Sequence, residues 1–265
     1  MSAVPYDKKQ AATLVRMNVW AFALHFLSFT AALTAAIIFV EGSFQAILTT
    51  TFLEAEVPKL TVVATYFIIW LELPFPLITA LFHFVIAFFP LVRRRYLYLA
   101  LVKERNPLRW VEYSITASIM TWVICQVSGI TDVLTLVLVV GITPALMATG
   151  HLMEIMNVPS RKRVYWLPTT IGWWLFVLQW AIIITAFLAA VTSSANDVPW
   201  FVYTIVIGLF FQFSAFGFVQ LVHYTQWPGW FITGYNTERA FIILSFVSKF
   251  FLDWALLTGI LSNMR

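Results

Sequence analysis

The sequence has few charged residues and almost no cysteine. Only 11% of its 265 residues are Asp, Glu, Lys or Arg, whereas a soluble domain averages about 25%. So few charges cannot cover the surface of a soluble protein of this size. Cys125 is the only cysteine, which excludes an intramolecular disulfide and a cysteine metal cluster. The sequence therefore predicts neither a soluble enzyme nor a metal centre.

Apolar residues fill most of the chain. They make up 61% of it, and the mean hydropathy is +0.87. Stretches of about 20 apolar residues are typical of transmembrane helices, and this pattern predicts one domain (1–265), an all-α seven-transmembrane helix bundle. The predicted spans cover about 14–40, 62–92, 107–127, 132–153, 165–191, 199–224 and 237–261. Pro74 and Pro76 predict a bend in the second span.

The segment between the first two spans is too long for a tight turn. It covers about 41–59, and residues 44–51 are rich in β-branched side chains that alternate with other types. This pattern favours a small β-hairpin outside the membrane.

The positive charges fall on one side of the predicted bundle. Thirteen of the sixteen Lys and Arg residues lie at the N-terminus or in the second, fourth and sixth loops, against only Lys59 and Arg265 on the other side. Because cytoplasmic loops carry an excess of Lys and Arg, we expect a cytoplasmic N-terminus and an extracellular C-terminus. The same reasoning explains the pI of 9.3 by topology, so no nucleic-acid partner is expected.

A few ionisable side chains lie at membrane depth. Burying such a group costs at least about 2.5 kcal/mol, so each is a functional candidate. They are Glu72, Glu112, Lys249, Asp253, His25 and His83.

Lys249 lies almost midway along the last span, too far from either end to reach water. One interpretation is a lysine paired inside the bundle or facing the cavity of a transporter. The other is a covalent aldehyde adduct, because a desolvated lysine is a good amine nucleophile.

The helix direction selects a partner for Lys249. Helical side chains lean toward the N-terminus of their own helix, so the amine points to the cytoplasmic side. Glu112 lies on that side, just over one turn into the third span, whereas Asp253 lies one turn beyond Lys249 in the other direction. Glu112 is the better counterion and Asp253 the second choice.

Two segments carry a resemblance to a known family. Residues 109–118 (RWVEYSITAS) look like the third-helix signature of the heliorhodopsins, and residues 238–249 (ERAFIILSFVSK) resemble their retinal-lysine segment. His25, His83 and Met153-Glu154 are also similar. Heliorhodopsins have a cytoplasmic N-terminus, which agrees with the orientation obtained from charge alone.

The resemblance implies a rhodopsin-like fold and a role for each site residue. Lys249 would bind all-trans retinal as a Schiff base with Glu112 as counterion, which implies a green-absorbing pigment. Ser245 would take the place of the second aspartate of other microbial rhodopsins. The remaining pocket residues would be Thr116, Ser118, Phe213 and Gln220. His25 and His83 would line a polar cavity that holds the released proton. The resemblance also implies a homodimer in the lipid bilayer, with the first outer loop reaching over the neighbour.

The chain departs from the family pattern at four positions. Ser248 and Thr237 stand where alanine and glycine are expected, and neither change should prevent the adduct. Asp253 and Glu72 place two acids in the outer half, where a non-transporting member should have almost none. They either extend a proton path to the exterior or make only local contacts.

Three functions remain open. The first is a non-enzymatic photosensory protein that transfers a proton internally without strong pumping and acts on an unknown signalling partner. The second is a light-driven proton transporter or channel that uses Asp253 and Glu72. The third is a transporter or membrane enzyme without a chromophore. Vigorous pumping is disfavoured because the third span has Val123 where a proton pump carries its second acid.

Overall fold

The helices of the computed structural model pack side by side into a closed ring. The structure describes residues 6–39, 45–193, 198–226 and 233–263. Its helices are α1 (Lys8–Phe39), α2 (Ile69–Glu72), α3 (Pro74–Phe88), α4 (Pro90–Val102), α5 (Pro107–Val127), α6 (Val133–Met156), α7 (Leu167–Ser193), α8 (Trp200–Thr225) and α9 (Gly234–Asn263). Neighbours around the ring are α1, α3, α5, α6, α7, α8 and α9, and α9 packs against α1 again.

Six of these segments are long and apolar enough to cross a membrane. They are α1, the α2–α3 pair, α6, α7, α8 and α9. The remaining ring helix, α5, is 21 residues long but carries buried polar residues that include Arg109, Glu112 and Gln126. Its polarity follows from its position, because α5 faces the interior of the bundle and supplies the site described below.

The second predicted span begins later than its hydropathy suggested. The structure has a β-hairpin of β1 (Gln45–Glu54) and β2 (Val57–Phe67), so residues 62–67, which we assigned to a helix, form a strand. Their β-branched and aromatic side chains suit a strand as well as a span, and hydropathy does not separate the two. The prediction of a helix from residue 62 was therefore wrong. The hairpin reaches residue 67 rather than ending near 59, and residues 41–44 of that segment lie outside the described residues.

Two prolines divide the rest of that span. Leu73 separates α2 from α3 and keeps helical φ and ψ, whereas Phe89 leaves the helical conformation before Pro90 begins α4. Proline lacks the N–H that would continue a helix, but its fixed φ suits a first helical position. Glu72 is the last residue of α2, and the bend predicted at Pro74 and Pro76 stays a prediction, because the backbone at Leu73 is helical.

The hairpin rests on the junction between α5 and α6. The Thr49 N–H donates to the Thr131 carbonyl at 2.8 Å, and Trp122 Nε1 donates to the Tyr66 hydroxyl at 2.7 Å. We call this end of the bundle the hairpin side. The opposite end, which carries Arg93, α4 and the α6–α7 loop, we call the basic side. The distribution of charge predicts that the basic side faces the cytoplasm.

Candidate functional site

Lys249 and Glu112 meet in the middle of the bundle. Lys249 Nζ on α9 donates to Glu112 Oε1 on α5 at 2.7 Å and to Ser245 Oγ at 2.9 Å. Both charged side chains are almost completely buried. Because Ser245 is one turn before Lys249, the amine leans toward the basic side. The structure thus brings together the lysine and the carboxylate that we selected from helix direction.

Glu112 Oε1 accepts hydrogen bonds from two further groups. The hydroxyls of Thr79 and Thr116 donate to it at 2.5 and 2.9 Å. Hydrogen bonds from hydroxyls and an ammonium group stabilise a negative charge on one oxygen. Thr79 was not identified from the sequence, because a threonine in an apolar helix has no distinctive signal. Its only sequence clue is that it lies seven residues after Glu72 and four before His83, on one helix face.

An apolar cavity begins at Lys249. Thr116, Phe213, Ser245 and Lys249 line it, together with aliphatic and aromatic side chains of α5, α6, α7 and α8: Met120, Leu146, Met147, Phe176 and Phe216. A hydrophobic chain bound to Nζ would be enclosed by side chains of matching character. The residues present therefore fit a polyene aldehyde such as retinal.

Ser118 and Gln220 were also predicted for this pocket, and neither lines the cavity that begins at Lys249. Ser118 is not among the residues that line it, and its hydroxyl donates to the Ser114 carbonyl at 2.7 Å. Gln220 lines a neighbouring cavity and donates to the Gly150 carbonyl at 3.0 Å. The neighbouring cavity shares Phe176, Phe213 and Phe216 with the cavity at Lys249, so the place of Gln220 near a bound ligand stays a prediction.

A chain of polar side chains extends from His83 toward the basic side. His83 Nδ1 lies 2.7 Å from Asn18 Oδ1, and the Asn18 amide donates to the Tyr96 hydroxyl at 3.4 Å. The Tyr96 hydroxyl in turn donates to Glu238 at 3.2 Å. His25 stacks on His83 with 5.9 Å between ring centroids. Asn18 and Tyr96 were not singled out from the sequence.

Arg109 closes this polar chain. It forms buried ion pairs with Glu154 and, at 2.6 Å, with Glu238. Arg109 is one of the thirteen basic residues that were expected in loops or at the N-terminus, but it occupies the first turn of α5 and is buried. An arginine in a helical first turn looks like a surface residue until the partners supplied by α6 and α9 are known.

Glu72 and Asp253 form the polar part of the hairpin side. Both are buried, and none of their four carboxyl oxygens has a hydrogen-bond partner among the described residues. They lie close enough to interact electrostatically with each other, and Asp253 interacts in the same way with Lys249. The structure therefore brings these two predicted acids together, beyond Lys249 from Glu112.

Comparison with known proteins agrees with this architecture. The sequence model of the heliorhodopsin family matches residues 14–261, which includes every site residue named above. No curated protein matches the chain.

Proposed function

The chain belongs to the heliorhodopsin family, and from this premise we propose that it is a light sensor in which Lys249 carries all-trans retinal with Glu112 as counterion. Family membership and the apolar helices make it a retinal-binding, light-responsive, integral multi-pass membrane protein. Retinal held at Lys249 as a protonated Schiff base supplies visible absorption and a light-driven isomerisation. The roles of the individual side chains are the content of the proposal.

The contact between Lys249 Nζ and Glu112 Oε1 is the observation that carries the proposal. At 2.7 Å it is a charge-assisted hydrogen bond in a buried site, where electrostatic interactions are stronger than in water. A positive charge on Nζ can be buried in the middle of the bundle because the Glu112 carboxylate is in contact with it. The apolar cavity next to Nζ is lined by side chains that suit a hydrophobic ligand.

His83 and its neighbours are suited to hold a proton released from Nζ. His83 is on α3 one turn after Thr79, which contacts Glu112, and its own contact with Asn18 leads toward Tyr96 and Glu238. The chain then reaches the buried ion pairs of Arg109 with Glu154 and Glu238. This arrangement favours retention of the proton and its later return, which is the behaviour of a sensor.

Net proton transport is the second candidate, and the buried Glu72 and Asp253 favour it. Against it, α5 has Val123 in the apolar core at the position of a pump's second acid. Sustained illumination distinguishes the two functions: a sensor gives a transient charge displacement, and a transporter gives a steady current. We expect the transient, and a steady current lost in Asp253→Asn would contradict the sensor.

The chromophore itself is tested by expression with all-trans retinal. We expect a coloured protein that hydroxylamine bleaches, because hydroxylamine captures an aldehyde from its lysine adduct. Protein that stays colourless when supplied with retinal would contradict the proposal.

We further propose a homodimer that uses the hairpin. Phe52, Leu53 and Leu60 are exposed apolar residues on it, and an exposed apolar patch outside the bilayer marks a contact surface. A monomer measured by mass in detergent and in nanodiscs would contradict this part. The signalling partner is a further expectation of the sensor function.

A further inference from the structure

The two acids on the hairpin side differ from every other buried carboxylate of the described core. Glu112, Glu154 and Glu238 each contact a cationic side chain. Glu72 is completely buried and Asp253 is 3% exposed, yet their carboxyl oxygens have no hydrogen-bond donor among the described residues. A buried carboxylate without donors or a cation is strongly disfavoured.

The position of the pair relative to Lys249 is fixed by the helices. Asp253 is four residues after Lys249 on α9, about 6 Å along the axis and on the same face. Glu72 ends α2, next to the hairpin, and Thr79 and His83 follow on the same face of the α2–α3 segment. The contact with Ser245 shows that Nζ leans away from Asp253 and toward Glu112. Nζ therefore lies between a paired acid on the basic side and two unpaired acids on the hairpin side.

The charges near Glu72 and Asp253 determine whether these two acids are protonated. Glu112 already neutralises Lys249, and the other neighbours of Lys249, His25 and His83, add no negative charge. Both carboxyl groups are buried without a hydrogen-bond donor among the described residues, and a charge on one would repel a charge on the other, so both acids retain a proton. We infer that Glu72 and Asp253 form a protonated carboxyl pair which serves as the hairpin-side proton donor to Lys249 Nζ.

The transfer moves one proton from Asp253 to Lys249 Nζ. After Nζ has lost its proton toward His83, the O–H bond of Asp253 breaks and an N–H bond forms at Nζ, which leaves an Asp253 carboxylate. The protonated Glu72 then donates a hydrogen bond to that carboxylate and stabilises its charge. One positive charge has then moved from the hairpin side toward the basic side. When His83 returns its proton to Nζ, Nζ passes one proton back to Asp253, which restores the initial state without net transport. A charge separated in this way would be a long-lived light-induced state.

The protonation of the pair is testable without retinal. In retinal-free protein at neutral pH, infrared spectra should contain a carbonyl-stretch band of a buried protonated carboxyl. We expect Glu72→Gln and Asp253→Asn each to remove or shift this band, and Glu56→Gln, in the exposed hairpin turn, to leave it unchanged. A band that survives both buried substitutions, or no such band in the parent protein, overturns the inference whatever the chromophore does.

The donor role rests on the proposed function and is tested in the pigment. After a flash, Asp253→Asn should slow the return of the dark absorption by about 10²-fold, within the range of a lost proton-transfer group. A small weak acid such as azide should restore the rate, which repair of a merely structural defect would not do. Unaltered recovery in Asp253→Asn overturns the donor role. Failure to form a pigment at all contradicts the proposed function instead, and the infrared result still stands.

Discussion

The two halves of the bundle handle buried charge in opposite ways. On the basic side every buried carboxylate has a partner: Glu112 contacts Lys249, and Arg109 joins Glu154 and Glu238. On the hairpin side Glu72 and Asp253 have none among the described residues. The basic half is therefore held by ion pairs whose geometry is fixed, whereas the hairpin half keeps its acids neutral by binding protons, which can leave.

Loss of the lysine should have the largest effect. Lys249→Ala removes the amine that lies at the boundary between the halves, so we expect no visible pigment with retinal. The measurement is the absorption spectrum of purified protein supplied with the aldehyde. Lys59→Ala, on the exposed hairpin, is the matched control and should keep full colour. Colour retained without Lys249 would show that retinal binds elsewhere.

Removal of Arg109 should be the largest change in stability. Arg109→Gln leaves Glu154 and Glu238 buried without their cation, which costs about 3–5 kcal/mol of unfolding free energy. Chemical unfolding in detergent measures the difference. Arg239→Gln provides a control, since Arg239 is exposed and stacks only on Tyr235. If Arg109→Gln loses no more unfolding free energy than Arg239→Gln, the ion pairs of Arg109 do not stabilise the basic half.

Neutralising the counterion should change the colour. Glu112→Gln removes the carboxylate in contact with Nζ, so the absorption band moves to longer wavelength, or to the near ultraviolet if Nζ loses its proton. Thr116→Val, which removes only one of the hydroxyls that donate to Glu112, should cause a smaller shift. An unchanged spectrum in Glu112→Gln would rule out Glu112 as counterion.

The same substitution in the two halves sharpens the comparison. Glu238→Gln disrupts contacts with Arg109, Asn106 and Tyr96 and should cost about 1–3 kcal/mol of unfolding free energy. Glu72→Gln replaces a neutral acid by a neutral amide and should lower the unfolding free energy by less than about 1 kcal/mol. Equal losses measured by unfolding in detergent would show that Glu72 is ionised and paired.

The sequence predicts the parts of this molecule that follow from local composition. The apolar runs and the contact between Lys249 and Glu112 depend on helix geometry and could be obtained without a structure. The start of the second span could not, since residues 62–67 suit a strand or a helix and pairing with β1 decides between them.

Partners from distant helices account for the rest of the site. Arg109 meets Glu154 and Glu238 only because α6 and α9 close around α5. Thr79 contacts Glu112 only because α3 packs against α5, and Asn18 contacts His83 only because α1 packs against α3. The spacing of residues along a single helix does not predict these contacts between helices.

The smallest expected effect is that of Glu104, which lies at the rim of the basic side, outside the membrane. Burial alone would raise the pKa of Glu104, but His223, 3.5 Å away, and the Gly234 N–H, which donates at 3.2 Å, hold it below its ordinary value. Because its folded-state pKa is depressed, Glu104 stabilises the fold above its unfolded pKa, near 4.5, and this contribution is lost as the pH falls through the lower folded value. We expect it to be below about 1 kcal/mol. The free energy of unfolding, measured at several pH values, should fall less in acid for Glu104→Gln than for the Glu56→Gln control. Identical curves would mean that Glu104 does not stabilise the contact between α9 and the loop before α5.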